Sequence, residues 1–431
     1  MIHQSPPIRS AIIRWTQRAA GSMIAVALSV TGVAQAQGNR ILRFHNQCSQ
    51  TVWIGANGGA TQACGPGNSC PSGQACLTNQ CFWTLPLPAS GSLELAAGAS
   101  ARVTLSAPPW NPPGTPQWVK WNGNIYGSTG CNSSGQNCQT GVCVGGSCAP
   151  GTGPVGPTTL AELTLLTNGP DNYDISMING VNLPMSMEPT SGQTFGTPPS
   201  GLAADYFCGA PGKPQPSNPA LQGCTWQFDP KINGTDQSPF LQMVTPGGNA
   251  CTKNSACTSP QVCGLAMTVG TTTVSQVCGQ QIGWWTADEV CGYTNSGFGA
   301  PFNCSATVSG QGNNANLYLC NGANTCYNSS ATATCCGCPQ WTFNGKTLPA
   351  ALSCGASNKT TNPSWNQIAQ PWAQFAKQAC PTAYSFPYDD ATSTFTCAGT
   401  NPAANAVEYT ITYCPGGKSG VPPRVASRPK K

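Results

Sequence analysis

The feature that most constrains this 431-residue chain is its set of 26 cysteines, every one of them after Ala36. An even set of that size behind a secretory-type leader reads as up to thirteen disulfides in an oxidising compartment. Metal binding by thiolates is the competing use, and the leader disfavours it by excluding a reducing cytosol. Histidine is nearly absent. His3 lies in the leader and His45 in a strand-like segment, which leaves zinc hydrolysis and Ser-His-Asp chemistry without their usual ligand or base. No metal and no cofactor are expected.

The leader spans residues 1–36. Arg9, Arg14 and Arg18 form a positive n-region, a short apolar stretch begins at Met23, and Ala34-Gln35-Ala36 offers small residues at a cleavage position. The apolar run falls short of the roughly 20 residues of a membrane span. The expected mature chain starts near Gln37 and is secreted, extracellular or periplasmic, without stable membrane insertion; an uncleaved anchor is the alternative. Cleavage removes three arginines and no acid, leaving 15 basic against 13 acidic residues, a net +2. That balance does not suit nucleic acid. Only 7% of residues are charged, against roughly 25% in an ordinary domain, so each acid is individually informative.

The 50 glycines and 39 prolines argue for many turns and few long helices. Ile41–Asn46 and Thr51–Gly55 have strand composition, and Val407–Tyr413 alternates apolar and polar residues with period two. Ser92–Leu95, Ala101–Leu105, Leu160–Leu166 and Asn172–Ile178 are further short strand candidates. Together they suggest a β-sandwich. Trp365–Ala379 is the best helix, with apolar residues at 368, 372, 375, 376 and 379. A Cys-x5-Cys-x5-Cys spacing occurs twice, at Cys64, Cys70 and Cys76 and at Cys251, Cys257 and Cys263. Neither copy has apolar residues enough for a core, so each reads as a small disulfide knot. From 415 to 431 the chain is a basic, Gly/Pro-rich tail.

Several blocks resemble the thaumatin-like family in order from end to end. They are Asn46 to Trp53, Thr129-Gly130-Cys131 with Cys138 to Cys143, Pro157 to Leu163, Tyr173 to Ser176, Gly180 to Met185, Phe375 to Phe386, Thr392 to Cys397, and Tyr413-Cys414-Pro415. The resemblance covers a little more than half of the mature chain and implies a thaumatin-like domain over 37–414. Segments 57–117 and 241–320 read as Cys-rich insertions and 340–365 as a further one. The implied fold is all-β: an antiparallel β-sandwich core with disulfide-rich loop domains and one or two short helices. The implied pairings are Cys48 with Cys414, Cys131 with Cys138, Cys143 with Cys148, Cys208 with Cys397, Cys224 with Cys380, and Cys326 with Cys335. Partners for Cys336, Cys338 and the insertion cysteines stay open.

The resemblance also implies an acidic cleft lined by one arginine, one glutamate and three aspartates. Here the glutamate falls on Glu162 and two aspartates on Asp174 and Asp390. The third aspartate falls on Asn179 and the arginine on Asn124, so three acids remain without the arginine. Crowded carboxylates repel, and one should keep its proton. A protonated acid beside an ionised one is what glycoside hydrolysis uses; Glu162 is then the acid and Asp174 the nucleophile or base. The plain alternative is that both acids simply face solvent on their strands. Trp226, Trp284, Trp285 and Trp341 are candidate sugar platforms. Three functions compete: a weak endo-β-1,3-glucanase or antifungal protein, a noncatalytic β-glucan-binding or cell-surface protein, and a membrane-perturbing protein, which the low net charge disfavours. The expected partner is a polysaccharide of β-glucan type, with no nucleic acid, and the chain is expected to be a monomer.

Overall fold

Alternation along single strands places both the core and the polar face. In Leu160–Leu166, Ala161, Leu163 and Leu165 are buried while Glu162 and Thr164 point to the opposite, half-buried face. The computed structural model describes residues 39–88, 92–143, 151–268, 273–294, 300–310, 312–320, 336–351 and 362–421. The leader and most of the basic tail, from 422 onward, lie outside the described residues.

In chain order the strands are β1 (Arg40–Asn46), β2 (Val52–Gly58), β3 (Ala60–Ala63), β4 (Gln74–Leu77), β5 (Gln80–Trp83), β6 (Leu93–Leu95), β7 (Ser100–Leu105) and β8 (Val119–Ser128). β9 (Leu160–Leu166), β10 (Asp171–Ser176) and β11 (Met185–Pro189) follow. β12 (Gln242–Val244), β13 (Val262–Met267), β14 (Val274–Gly279) and β15 (Gln281–Trp284) form a sheet of their own, and β16 (Phe395–Cys397) and β17 (Tyr409–Tyr413) return to the first two sheets. Those two sheets run in the order β11-β17-β1-β7 and β16-β10-β9-β8-β2-β6. Leu42, Phe44 and Ile411 from one, and Ile54, Ile125, Leu163 and Ile175 from the other, join a single buried cluster. Each such side chain contributes about 1.5–3 kcal/mol by leaving water. This is the sandwich expected from the sequence.

One pairing departs from an all-antiparallel sandwich: β1 and β17 run parallel, with Phe44 opposite Ile411. The reason is covalent as well as topological. Cys48 and Cys414 each lie just beyond the C-terminal end of their strand, and parallel pairing brings those ends together for the Cys48–Cys414 disulfide. The sheets are also tied by Arg40 in β1. Its guanidinium is buried, pairs with Asp171 in β10, and donates to the carbonyls of Leu166 (2.8 Å) and Val407 (2.9 Å). Tyr409 donates to the same aspartate at 2.8 Å.

Helices exceed the one or two expected. They are α1 (Ser238–Leu241), α2 (Ala287–Thr294), α3 (Asn314–Tyr318), α4 (Pro363–Ile368), α5 (Gln370–Ala379) and α6 (Asp390–Ser393). The single helix expected over Trp365–Ala379 is therefore two, meeting at Ala369. Pro371 lacks an N–H and its ring crowds the carbonyl four residues back, so the helix restarts at Gln370.

The two Cys-rich insertions share one disulfide plan. In the first, Cys64 joins Cys76 and Cys70 joins Cys81; in the second, Cys251 joins Cys263 and Cys257 joins Cys278. In both, the third and fourth cysteines stand directly opposite across a hairpin, Cys76 with Cys81 on β4–β5 and Cys263 with Cys278 on β13–β14. Cys291–Cys304 and Cys320–Cys336 are further bridges. Cys131–Cys138, Cys208–Cys397 and Cys224–Cys380 join as the resemblance implied. Cys148, Cys326 and Cys335 lie outside the described residues, and with them two of the expected pairs.

Candidate functional site

The polar face of the six-stranded sheet carries the site, and strand register assembles it. Asn57 on β2 stands opposite Asn124 on β8, Asn124 opposite Glu162 on β9, and Glu162 opposite Asp174 on β10. Side chains directly opposite in antiparallel strands share a face, with Cβ atoms about 4.5–5.5 Å apart. These four residues therefore form one lane straight across the sheet. A second polar row runs beside it, Asn122–Thr164–Asn172, in which the Asn122 amide donates to Thr164 Oγ1 at 2.6 Å.

The lane ends at a short turn carrying two adjacent acids with different fates. Asp389 is buried and neutralised by Lys377 of α5, whose ammonium also donates to the Ala383 carbonyl (3.0 Å) and Ser393 Oγ (2.7 Å). Asp390 at the start of α6 turns the other way. It accepts from the Tyr384 hydroxyl at 3.0 Å, and its charge acts on Asp174. The structure thus brings together Asn124, Glu162, Asp174 and Asp390. Asn179 lies in the turn after β10, where its backbone carbonyl accepts from the Thr158 N–H at 2.7 Å.

Burial sets the electrostatics. Glu162 and Asp174 are hydrogen-bonded to each other, and none of the ion pairs among the described residues involves either. Burial pushes the Glu162 carboxyl up to about 7. Asp174, only 4% exposed, is held well above the usual carboxylate range by burial, then by the charges of Glu162 and Asp390. Both shifts run the same way, toward the protonated form, so burial disfavours ionising the two carboxyls together.

Three oxygens along the lane, Asn57 Oδ1, Asn124 Oδ1 and Asp174 Oδ1, are buried and find no hydrogen-bond partner among the described residues. Buried acceptors are ordinarily paired, so these three oxygens are exceptions concentrated in one row.

The tryptophans expected as sugar platforms are core residues instead. Trp226, Trp284, Trp285 and Trp341 are 0–3% exposed. Their indole N–H groups are spent on Gly212, Gly420, Leu265 and Asp389 respectively. Sequence reasoning missed Asn57, Tyr384 and Lys377. For Lys377 a signal existed, a cation set among apolar residues of a helix; Asn57 is found only through register.

The first Cys-rich segment adjoins the lane and the second packs ahead of β9. Asn57 is followed by Gly58, where an added Cβ would lie 1.8 Å from the Trp83 carbonyl; only glycine lets β2 pass so close to β5 of the first knot. Met267 of the second knot packs against Gly156, ahead of β9.

A profile of the thaumatin family matches residues 46–415. A thaumatin-like protein 1 from Pyrus pyrifolia is 35% identical over 157 residues, 35% of this chain and 49% of that protein, so the alignment spans about half its length. Pathogenesis-related protein 5 of Arabidopsis thaliana is 25% identical over 86% of this chain and 89% of its own. A solved thaumatin-like xylanase inhibitor is 24% identical over 35% of this chain and 76% of its own, with a TM-score of 0.20.

Proposed function

The chain belongs to the thaumatin family, and from that premise we propose that it is a secreted, defence-type protein whose lane binds a neutral polysaccharide of β-1,3-glucan type without cleaving it. One observation supports this reading: strand register sets Asn57, Asn124, Glu162 and Asp174 in a single polar lane across the sheet, in which burial raises both carboxyls and so favours their neutral forms. Such a lane offers acceptors to hydroxyl groups while keeping its charge low. A free anion pair would instead call for a cation. Neutral sugars supply many hydroxyl donors, whose lost hydration is offset where they meet such acceptors, and they bring no charge into a buried site.

A second reading is favoured by one feature. A carboxyl titrating near 7 is what a general acid needs, so Glu162 suits a weak endo-β-1,3-glucanase, with Asp174 or Asp390 as the second carboxyl. That reading requires two carboxyls at the spacing of a retaining or an inverting site, about 5–5.5 Å or about 6.5–9.5 Å. Antifungal action follows from either reading, through attachment to a glucan-bearing wall. Incubation with insoluble β-1,3-glucan, with reducing sugar assayed in parallel, separates the two. Retention without sugar release, unchanged in rate by Glu162→Gln, supports binding alone. Release that collapses in Glu162→Gln supports the enzyme, and failure to be retained overturns both.

A further inference from the structure

The Cys-rich knot occurs twice, and its first copy stands at the β2 end of the lane. β6 pairs with β2 only over Val52–Ile54. Past that point the neighbour beyond β2 is the knot itself. Trp83 of β5 donates its N–H to the Gly59 carbonyl at 3.1 Å, and Gly59 donates to the Asn122 carbonyl at 3.0 Å. An added Cβ on Gly59 would lie 2.2 Å from Asn122 Oδ1. The chain entering the knot therefore abuts the row Asn122–Thr164–Asn172 as well as the lane.

A second segment leans on the knot and closes over the same end. Gly151 passes so close to Phe82 of β5 that an added Cβ would lie 2.7 Å from the ring, and one on Gly153 would lie 3.2 Å from the Asn57 amide nitrogen. Register puts Asn57 on the polar face, so residues 151–153 lie over that face. Burial follows the cover. Asn57 and Asn124 are 7% and 1% exposed, while Glu162, Thr164 and Asn172 farther along are half-buried. The bridges Cys64–Cys76 and Cys70–Cys81 hold the knot in shape where its own apolar core is too small to do so.

We propose that the first knot, with residues 151–153 against it, is an end wall, so that the lane takes a polysaccharide by a chain end and not along its interior. An interior unit has a neighbour on each side, and a polymer held by its interior must leave the groove in both directions. A wall at β2 leaves one direction, toward Glu162, Asp174 and Asp390. Only a terminal unit then reaches the Asn122 and Asn124 end. This inference rests on the glucan reading for its ligand and adds the mode of capture.

Linear β-1,3-linked glucose hexamers carrying a bulky cap at one end or the other separate the two modes. Calorimetry with the full chain should find one capped isomer binding like the free hexamer and the other at least about tenfold weaker. On insoluble β-1,3-glucan, brief digestion by an unrelated endoglucanase creates chain ends and should raise the amount of protein retained per gram. Phe82→Ala trims the wall with both bridges kept, and Cys70→Ser/Cys81→Ser loosens it. In each variant the two capped isomers should converge, while thermal melts confirm the sandwich. Capped isomers that bind alike in the parent, capped isomers that both lose binding, a capacity unchanged by digestion, or a difference unchanged in both variants overturns the proposal. Glucan retention with the capped isomers bound alike leaves the lane standing and removes the wall. No retention and no hexamer bound removes the lane reading and the wall's role with it.

Discussion

At the scale of single residues, the energetics of the lane turn on how two acids are buried without a cation. The folded-state value of Glu162, about 7, lies above the ordinary 4.5, so the folded chain holds this proton more tightly than the unfolded chain. That contribution is complete below pH ~4.5 and is lost as pH rises through 7. Allowing for its half-open side, the loss is on the order of 2 kcal/mol. Glu162→Gln should therefore be more stable than the parent at pH 8, by about that amount, and nearly equal to it at pH 4.5. Urea unfolding at the two pH values checks this, and an equal difference at both contradicts it. Lys377 has the opposite role, since its charge is matched. Lys377→Met leaves Asp389 buried alone and should cost about 3–5 kcal/mol, with Lys377→Met/Asp389→Asn recovering most of the loss in a thermal melt. Glu162 and Asp174 were legible in the sequence because they sit in family blocks on alternating strands. Asn57 was not, because nothing local marks a strand residue whose importance comes from what lies across the sheet.

At the scale of elements, the strands were easier to read than the helices. Leu160–Leu166 alternates through its middle, Ala161 to Leu165, and forms β9 with the expected bounds, since one face must be buried while the other carries the polar residues. Trp365–Ala379 has helical apolar spacing throughout, yet Pro371 splits it, a local covalent constraint that periodicity does not weigh. The knots show a third case. The spacing revealed two related units but not their pairing, because many connectivities are compatible with the same spacing. Each knot relies on its bridges: the buried cluster of the second consists of Cys251, Cys263 and Cys278 with Cys257 packed on it. Cys70→Ser/Cys81→Ser should make residues 60–83 the first site of proteolysis, while the melting temperature of the sandwich moves by only a degree or two. A concerted loss of the whole fold would show the knot to be part of the core. In β1, Arg40→Leu should be far more damaging, about 3–5 kcal/mol by chemical denaturation, because it strands the buried Asp171.

At the scale of the whole molecule, the two ends of the fold lie side by side and are covalently joined. The parallel pairing of β1 with β17 and the Cys48–Cys414 bridge, 366 residues apart in sequence, close the sandwich. The six-stranded sheet packs on that closed layer, and the register of β2, β8, β9 and β10 within it makes the lane. The position of the acids was visible in the sequence through the family blocks, whereas their direct contact was not, since separation across strands is a property of the folded sheet. The most direct test is carbon-13 NMR titration of the side-chain carboxyls, with Glu162→Gln used for assignment. Burial of the two carboxyls predicts that one carboxyl of the Glu162–Asp174 pair is still protonated at pH 7 and titrates near or above that value. Both carboxyls ionising near pH 4, as exposed acids do, would contradict the account.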